Sequence, residues 1–515
     1  MSVTETPVLL AELMAALSLA TDLGMGQPVE FAWQSCAVAL RLAEKLKFSD
    51  AELRQVYYQA LLRYIGCNAD TRLLAAVFGD ELALRSEIIH ADVLGSEFRA
   101  ISLRFARQAN AGAHPLQLLA AVVGGLAQIS RASGEFFSGH CEVAGRLAER
   151  LGLGPELAAA LRQVYARWDG KGIPPLKGEA IAPSLLVVSL AQDAVYVNRL
   201  NGPDSAAAMV RQRRGSLYAP EHADIFCASA AELLAGDAPD WATLVGLEPG
   251  RRRMLSAAEF DTACAAIADF ADIKSPFLLG HSPGVARLAE GAARQVGLPE
   301  ADVVALRQAG LLHDIGRVGV SAGIWGKPGP LTEREWEKVR LHAYYAERVL
   351  ARPAGLARLG AVAALHHERL DASGYHRQAP ASALPPAARL LAAADVYQAL
   401  TEQRPHRPAQ PPGAAAGVLK GEARAGRLDP EAVAAVLAVA GQGAPPRRKE
   451  LVAGLSEREV EVLRLVARGH SIKEIAAQLS LAPKTVDSHI QHIYIKAGVT
   501  TRAGATLFAM EQGLL

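Results

Sequence analysis

Two stretches of the chain repeat one another at fixed offsets, and that repeat limits the folds open to it more than any other feature. Around Arg167 the sequence reads RWDGKGIPPLKGEAIAPSLLVVSLAQDAVYV, and around Arg369 it reads RLDASGYHRQAPASALPPAARLLAAADVYQA. Arg167 and Asp193 are 26 residues apart, as are Arg369 and Asp395. Upstream, LLRYIG at 61–66 aligns with LLHDIG at 311–316, an offset of 250 that also pairs Phe31 with His281. Downstream, LYAPE at Leu217 resembles LDPEA at Leu428. The copies differ in the middle. Residues 63 and 140 stand 77 apart where 313 and 342 stand 29 apart, so the first copy carries about 48 additional residues there.

The repeated unit reads as helix. Residues 285–296, 302–312 and 333–350 carry apolar side chains at three- and four-residue spacing and end at Gly or Pro. Alanine is abundant, aromatics are 5%, and no useful length shows the alternation of a strand. At 515 residues the chain exceeds one core. The divisions expected are 1–250, 256–442, a linker 443–454 and a module 455–515; Pro- and Gly-rich composition also marks 405–417 as a linker. The net charge of +1 excludes a global basic field, so nucleic-acid binding must be local. Five widely spaced cysteines show neither zinc-finger nor redox spacing. The N-terminus has no basic leader, Glu12 interrupts its apolar stretch and no run is long enough for a membrane span, so a cytoplasmic protein is expected.

The second copy concentrates metal-binding side chains: His281, His313-Asp314, His342, His366-His367 and Asp395. Imidazole and carboxylate suit Mn, Fe, Ni or Zn, and a His-Asp step lets one carboxylate bridge two ions. Two ions a few ångströms apart activate a water and hold both oxygens of a displacement at phosphorus. Five of the fourteen histidines fall beside Asp in one 115-residue window, which scattered structural histidines would not do.

These residues resemble the HD-GYP branch of the HD phosphohydrolases. The matching text is HS at 281, HDIG at 313, KPGPLTEREW at 327, HHERLDASGY at 366 and ARLLAAADVYQALTEQRP at 388, within about residues 272–407. The resemblance implies an all-helical fold and two divalent ions, Mn or Fe first and Ni or Zn as alternatives. Their ligands would be His281, His313, Asp314, His342, His366, His367 and Asp395, with Asp314 bridging and catalytic. It also implies a cyclic di-GMP-type substrate, whose phosphates Arg317 (also a catalytic candidate), Tyr375, Arg404 and Arg407 would handle. Several positions depart from the family text. Arg317 replaces Lys, giving a planar fork in place of a point charge. Ala372 and His376 replace the Gly and Pro of GSGYP, at a loop where positive φ is expected. His376 reads as an exposed loop residue, and Phe277 offers no extra carboxylate for a third ion. In the first copy the seven equivalent positions are Phe31, Arg63, Tyr64, His140, Val164, Tyr165 and Asp193. Only His140 and Asp193 could bind metal, and two ligands do not hold a binuclear site, so this copy is expected to be metal-free, a packing or dimerising scaffold or a ligand-sensing pocket.

From Leu455 the chain carries a capping box, Ser456 with Glu459, then a second, Ser471 with Glu474. A turn at 480–483 leads to a helix of about residues 484–497, and a last helix spans about 502–512. Val486, Ile490, Ile493 and Ala497 fall within an arc of about 60° at 100° per residue. Lys484, Ser488 and Gln491 lie opposite, flanked by Asp487 and His492, on the face that would enter a major groove. The segment resembles the LuxR-type (GerE-like) helix-turn-helix, which implies a phosphate contact from Thr485 and dimerisation through the last helix. Seven Lys/Arg against six Asp/Glu in 451–515 predict weak nonspecific affinity, aided by Arg447, Arg448 and Lys449. The expectation is an all-α chain: a degenerate HD domain, an HD-GYP-like metal domain, and a helix-turn-helix that binds a DNA operator as a homodimer. The tandem either hydrolyses a nucleotide or, as the alternative, acts as a non-catalytic receptor for one.

Overall fold

Thr332 accepts a hydrogen bond from the Glu335 amide while the Glu335 carboxylate accepts one from the Thr332 N–H at 2.7 Å, and the helix Glu333–Leu350 follows. This reciprocal cap recurs at Ser456/Glu459 and Ser471/Glu474. The computed structural model describes residues 8–69, 71–90, 96–109, 134, 136–441 and 452–515. Among them there is no strand, only isolated bridges such as Tyr165–Ile173. The fold is all-α, as the helical periodicity predicts.

The chain divides into two units, residues 8–259 and residues 260–515. In the first, the helices Phe31–Lys45, Asp50–Leu62 and Pro183–Asn201 pack together. Trp33 is fully buried among them and donates its indole N–H to Ser18 Oγ at 2.9 Å, so its one polar atom is satisfied. The helices Thr71–Phe78, Glu81–Ile88 and Ser96–Ala109, which the second copy lacks, gather around Leu74, Phe78, Leu84 and Phe105. Residues 110–133 of that insertion lie outside the described residues.

In the second unit the helix His281–Gln295 packs on Glu300–Leu312, Pro386–Thr401 and Pro430–Gly441 around Val285, Leu306, Leu391 and Val436. Each such side chain contributes about 1.5–3 kcal/mol by leaving water. The segment 405–417 is not a linker throughout, because a helix Pro412–Arg424 begins within it. Proline in the first turn costs no hydrogen bond, and Ala415 and Leu419 enter the core. Its Pro and Gly content therefore marked a helix start rather than a flexible tether. Residues 442–451, with the expected linker's basic Arg447, Arg448 and Lys449, lie outside the described residues.

The internal repeat is visible in the hydrogen bonding. The Ala32 amide donates to the Asp22 carboxylate at 3.2 Å, and 250 positions on the Ser282 amide donates to Asp272 at 2.9 Å. Glu30 and Gly280, equivalent residues, are both left-handed, with φ of 76° and 79°. A Cβ on Gly66 would strike the His140 carbonyl, and one on Gly316 would strike that of His342, its counterpart. The two copies share backbone packing as well as text.

The C-terminal module has helices Glu457–Ala467, Ile472–Leu479, Pro483–Ala497 and Arg502–Glu511. Its core includes Val462, Ile475, Val486, Ile490 and Phe508.

Candidate metal centre and nucleic-acid face

Each ligand candidate is positioned by a helix or a helix end. His281 opens the helix His281–Gln295, after Gly280 turns the chain left-handed. The helix Glu300–Leu312 stops at His313, and Asp314 leads into the 3-10 turn Ile315–Gly319. His342 lies within Glu333–Leu350, His366 and His367 follow Ala354–Ala363, and Asp395 lies within Pro386–Thr401. All seven side chains converge.

Asp314 stands at their centre. Its Oδ2 is 3.1 Å from His313 Nε2 and 3.4 Å from His281 Nε2; its Oδ1 is 3.5 Å from both His342 Nε2 and His366 Nε2. Asp395 Oδ1 lies 3.2 Å from His281 Nε2, and its Oδ2 lies 3.7 Å from His367 Nδ1. The atoms thus form two groups, His281/His313/Asp395 and His342/His366/His367, with one Asp314 oxygen facing each. Six of the seven side chains are buried and His367 is half-buried. Several of these buried polar atoms have no hydrogen-bond partner: His281 Nε2, His313 Nε2, both Asp314 oxygens and Asp395 Oδ1. Orphaned buried acceptors are costly unless something binds them. A donor set of five imidazoles and two carboxylates fits two divalent cations.

The protonation states suit ligation. His313, His342 and His366 each direct Nδ1 at the carbonyl three residues earlier, Gly310, Val339 and Ala363, at 2.5–2.7 Å. A carbonyl only accepts, so Nδ1 carries the proton and Nε2 presents its lone pair inward. Burial pushes the His342 imidazole down to about 3 and lowers His313 and His367 as well, keeping them neutral. Burial would raise the Asp314 carboxyl, but Arg317 and His313 outweigh it and hold Asp314 well below the usual range. His281 differs, since its Nδ1 meets Glu402 Oε2 at 2.9 Å.

Glu402 is the site residue that sequence reasoning missed, although it sits inside the matched text at LTEQRP. A carboxylate behind a ligand histidine fixes its ring and raises its basicity, and its loss typically costs about 10–100-fold in metal affinity. Glu402→Gln is accordingly expected to weaken metal binding by about 10–100-fold at unchanged fold, read by competition with a metal-sensitive dye. Unaltered affinity would remove Glu402 from the site.

The phosphate-handling candidates divide. Arg317 is at the centre, its Nε 2.8 Å from Asp314 Oδ2 and its guanidinium carbon 4.9 Å above the Trp325 ring. The Tyr375 ring lies 4.6 Å from the His367 ring, tilted 31° to it, and both residues are half-buried. Arg404 donates to Glu402 at 2.8 Å and to the Phe277 carbonyl at 3.1 Å, which ties it to the Glu402–His281 pair. Arg407 spends its donors on the carbonyls of Ala399, Leu400, Glu402 and Pro408, around the end of the helix Pro386–Thr401. His376 is half-buried and paired with Glu347 at 3.0 Å rather than exposed. Ala372 has φ of 60°, and its counterpart in the first copy is Gly170 at 81°. Relief of about 1–2 kcal/mol of left-handed strain exceeds the roughly 0.4–1 kcal/mol that glycine's freer unfolded chain costs. Ala372→Gly should therefore raise the melting temperature by a degree or more; a fall would contradict the strain.

In the first copy, His140 is held by the Tyr165 hydroxyl and the Ala69 carbonyl, both at 3.0 Å. Asp193 accepts from Tyr218 at 2.7 Å, with Arg63 and Arg213 3.9 and 3.8 Å away. Both remaining candidate ligands, His140 and Asp193, are engaged within the protein.

In the C-terminal module Val486, Ile490 and Ile493 are buried, Ala497 is half-buried, and Lys484, Thr485, Asp487, Ser488, Gln491 and His492 are all exposed. Lys496 pairs with Glu459 at 2.8 Å and Arg458 with Glu461 at 2.6 Å. Among the described residues, the exposed Arg468, Lys473 and Lys484 form no ion pair, and they supply the positive charge. On the last helix Leu507 and Met510 are buried.

Residues 265–432 match the HD domain family, and residues 453–509 match the luxR family of bacterial regulatory proteins. The chain joins an HD domain to a LuxR-type regulatory domain. The chain is similar to the 3'3'-cGAMP-specific phosphodiesterase 3 of Vibrio cholerae serotype O1, 28% identical over 443 residues, 85% of this chain and 95% of that one. A crystal structure of a V. cholerae cyclic GMP-AMP specific phosphodiesterase, V-cGAP3, covers 85% of this chain and 99% of its own, with a TM-score of 0.58 at 26% identity. A cyclic di-GMP phosphodiesterase of Thermotoga maritima is 36% identical over 133 residues, 25% of this chain and 36% of that protein. No helix among the described residues is long and apolar enough to cross a membrane.

Proposed function

We propose that the HD domain is a metal-dependent phosphodiesterase for cyclic dinucleotides, and that its nucleotide state governs DNA binding by the LuxR-type domain. The observation that carries the reading is the centre itself: seven convergent ligands with five orphaned buried atoms, which two divalent cations would satisfy. The names of the relatives support the substrate class. His281, His313 and Asp395 would hold one ion, His342, His366 and His367 the other, and Asp314 both. Mn or Fe suits this donor set, with Ni or Zn as alternatives. When bound, the ions supply an activated water and charge for the phosphoryl oxygens. Arg317 swings its planar fork from Asp314 to a phosphate oxygen. Tyr375, beside His367 and half-buried, would orient the nucleotide at the site. Burial of the remaining ligands excludes bulk water. Arg404 acts through Glu402 to hold His281 rather than by touching phosphate.

On the LuxR-type domain, Lys484, Ser488 and Gln491 would read a major groove, flanked by Asp487 and His492, with Thr485 on phosphate. With so little net charge, tight binding requires two modules on two half-sites, hence a homodimer on a double-stranded operator.

The test is hydrolysis of 3'3'-cGAMP and cyclic di-GMP by the full chain loaded with Mn or Fe. Formation of a linear dinucleotide is expected. A metal-loaded chain that binds either nucleotide and leaves it intact would establish the receptor alternative.

A further inference from the structure

The first helical unit contains a cavity of about 120 Å³ at the register positions that hold the ligands in the HD domain. Arg63, Tyr64, His140, Val164, Tyr165 and Asp193 line it, and 63, 164, 165 and 193 are the counterparts of His313, His366, His367 and Asp395. The volume limits the size of an occupant. A cavity of about 150 Å³ holds benzene, with its six heavy atoms, so one of about 120 Å³ holds about five in proportion. A nucleotide, or any bicyclic ring, is too large.

The lining selects the chemistry. Arg63 is nine-tenths buried, and its Nη1 donates to Gln192 Oε1 at 2.8 Å and lies 3.9 Å from Asp193. Its Nε and Nη2, the two donors along one edge of the guanidinium, meet no acceptor among the described residues. A buried donor left unused is costly, and such an edge matches the two oxygens of a carboxylate. Asp193, the one carboxylate of the lining, is shared between Arg63 and Arg213 and also takes the Tyr218 hydroxyl. Arg167 is neutralised by Asp169 at 2.8 Å. Arg85, also in the lining and buried, donates to the carbonyl oxygens of Gly24 and Cys67, which carry no charge to balance it. His140 is held neutral by burial, its imidazole lowered to about 3. The lining is therefore short of negative charge. Leu74, Ile88, Phe136, Phe137 and Val164 give it apolar wall as well. A wholly polar anion would lose hydration against these side chains without compensation. An anion with an apolar tail suits both parts.

We propose that this cavity is a metal-free binding site for a short-chain monocarboxylate of propionate size, with its carboxylate on the free edge of Arg63 and its alkyl tail against the apolar wall. Propionate has three carbons and two oxygens, which fills the volume. The site belongs to the first unit alone and is independent of hydrolysis by the HD domain.

The experiment is calorimetric titration of the full chain with propionate, benzoate and inorganic phosphate in the presence of a chelator, with propionate repeated on Arg63→Gln and Val164→Phe. Propionate is expected to bind once per chain. Benzoate, too large for the cavity, and phosphate, which has no apolar tail, should each bind at least about tenfold more weakly. Arg63→Gln should weaken propionate about tenfold or more, the scale of a lost charged hydrogen bond. Val164→Phe fills the space of the tail and should abolish binding with a thermal melt no lower than the parent's. The comparison of the three anions uses the unaltered chain, so it decides the matter if a variant fails to fold. No saturable binding of propionate, benzoate or phosphate matching it, or binding unchanged in either folded variant would each overturn the proposal. Hydrolysis by the HD domain is read in a separate assay, so the two readings can fail independently.

Discussion

Asp314→Ala is expected to abolish hydrolysis of cyclic dinucleotides and to cut the metal content of the protein. Asp314 is the residue whose two oxygens face both ligand groups, at 3.1 and 3.4 Å on one side and 3.5 Å twice on the other. Without it each group keeps its remaining ligands, but nothing ties the two together, and the charge balance changes by a full buried carboxylate. The group works as part of a unit, so the loss in rate should be on the order of 10⁴-fold rather than the product of small increments. Glu402→Gln, one layer out, bears on a single histidine and should cost far less. Metal analysis of the purified variant together with a rate measurement checks the prediction. A variant that keeps two ions and normal turnover would refute the bridging role. Stability should fall as well. Asp314 is fully buried and lies 2.8 Å from the buried Arg317 guanidinium, so its removal leaves that charge unpaired, and the apo variant should be less stable than the apo parent by about 3–5 kcal/mol.

Gly316→Ala is expected to damage the same site through the backbone. A Cβ there would overlap the His342 carbonyl oxygen and lie 2.5 Å from the Ala346 nitrogen and 2.9 Å from Tyr345 Cβ. Two of these three are main-chain atoms of the helix Glu333–Leu350 and cannot rotate away. The turn carrying His313 and Asp314 must therefore separate from the helix carrying His342. Overpacking of this kind costs about 3 kcal/mol or more, which for a unit of this size lowers the melting temperature by roughly 6–12 °C. Gly66→Ala supplies the control, since its Cβ would meet the His140 carbonyl in the first copy. It should destabilise comparably and leave metal stoichiometry unchanged. Equal metal loss from both variants would mean that the two copies do not report on separate sites.

The ligand set was legible in the sequence because its chemistry is carried by side chains: His-Asp and His-His steps at helix ends have few structural uses. The repeat was legible for a similar reason, since offsets of 250 and 202 place the same apolar and glycine positions in register. What escaped was carried by the backbone or by a second partner. The carbonyls of Gly310, Val339 and Ala363 that set the histidine tautomers leave no trace in residue type. Glu402 looked like an ordinary polar residue near a helix end. Arg404 and Arg407 could be placed near the site by text alone, but not assigned to a carboxylate or to helix-end carbonyls, because that depends on where the chain turns after Thr401. Proline content misled at 405–417, where it signals both a loop and the first turn of a helix.

The most direct test of the account is one time course: the full chain, loaded with Mn or Fe, incubated with 3'3'-cGAMP and with cyclic di-GMP and followed by chromatography. The account predicts a linear dinucleotide from at least one of them, none in the presence of a chelator, and none from Asp314→Ala. Intact nucleotide recovered from a protein that holds two ions and binds the ligand would contradict it.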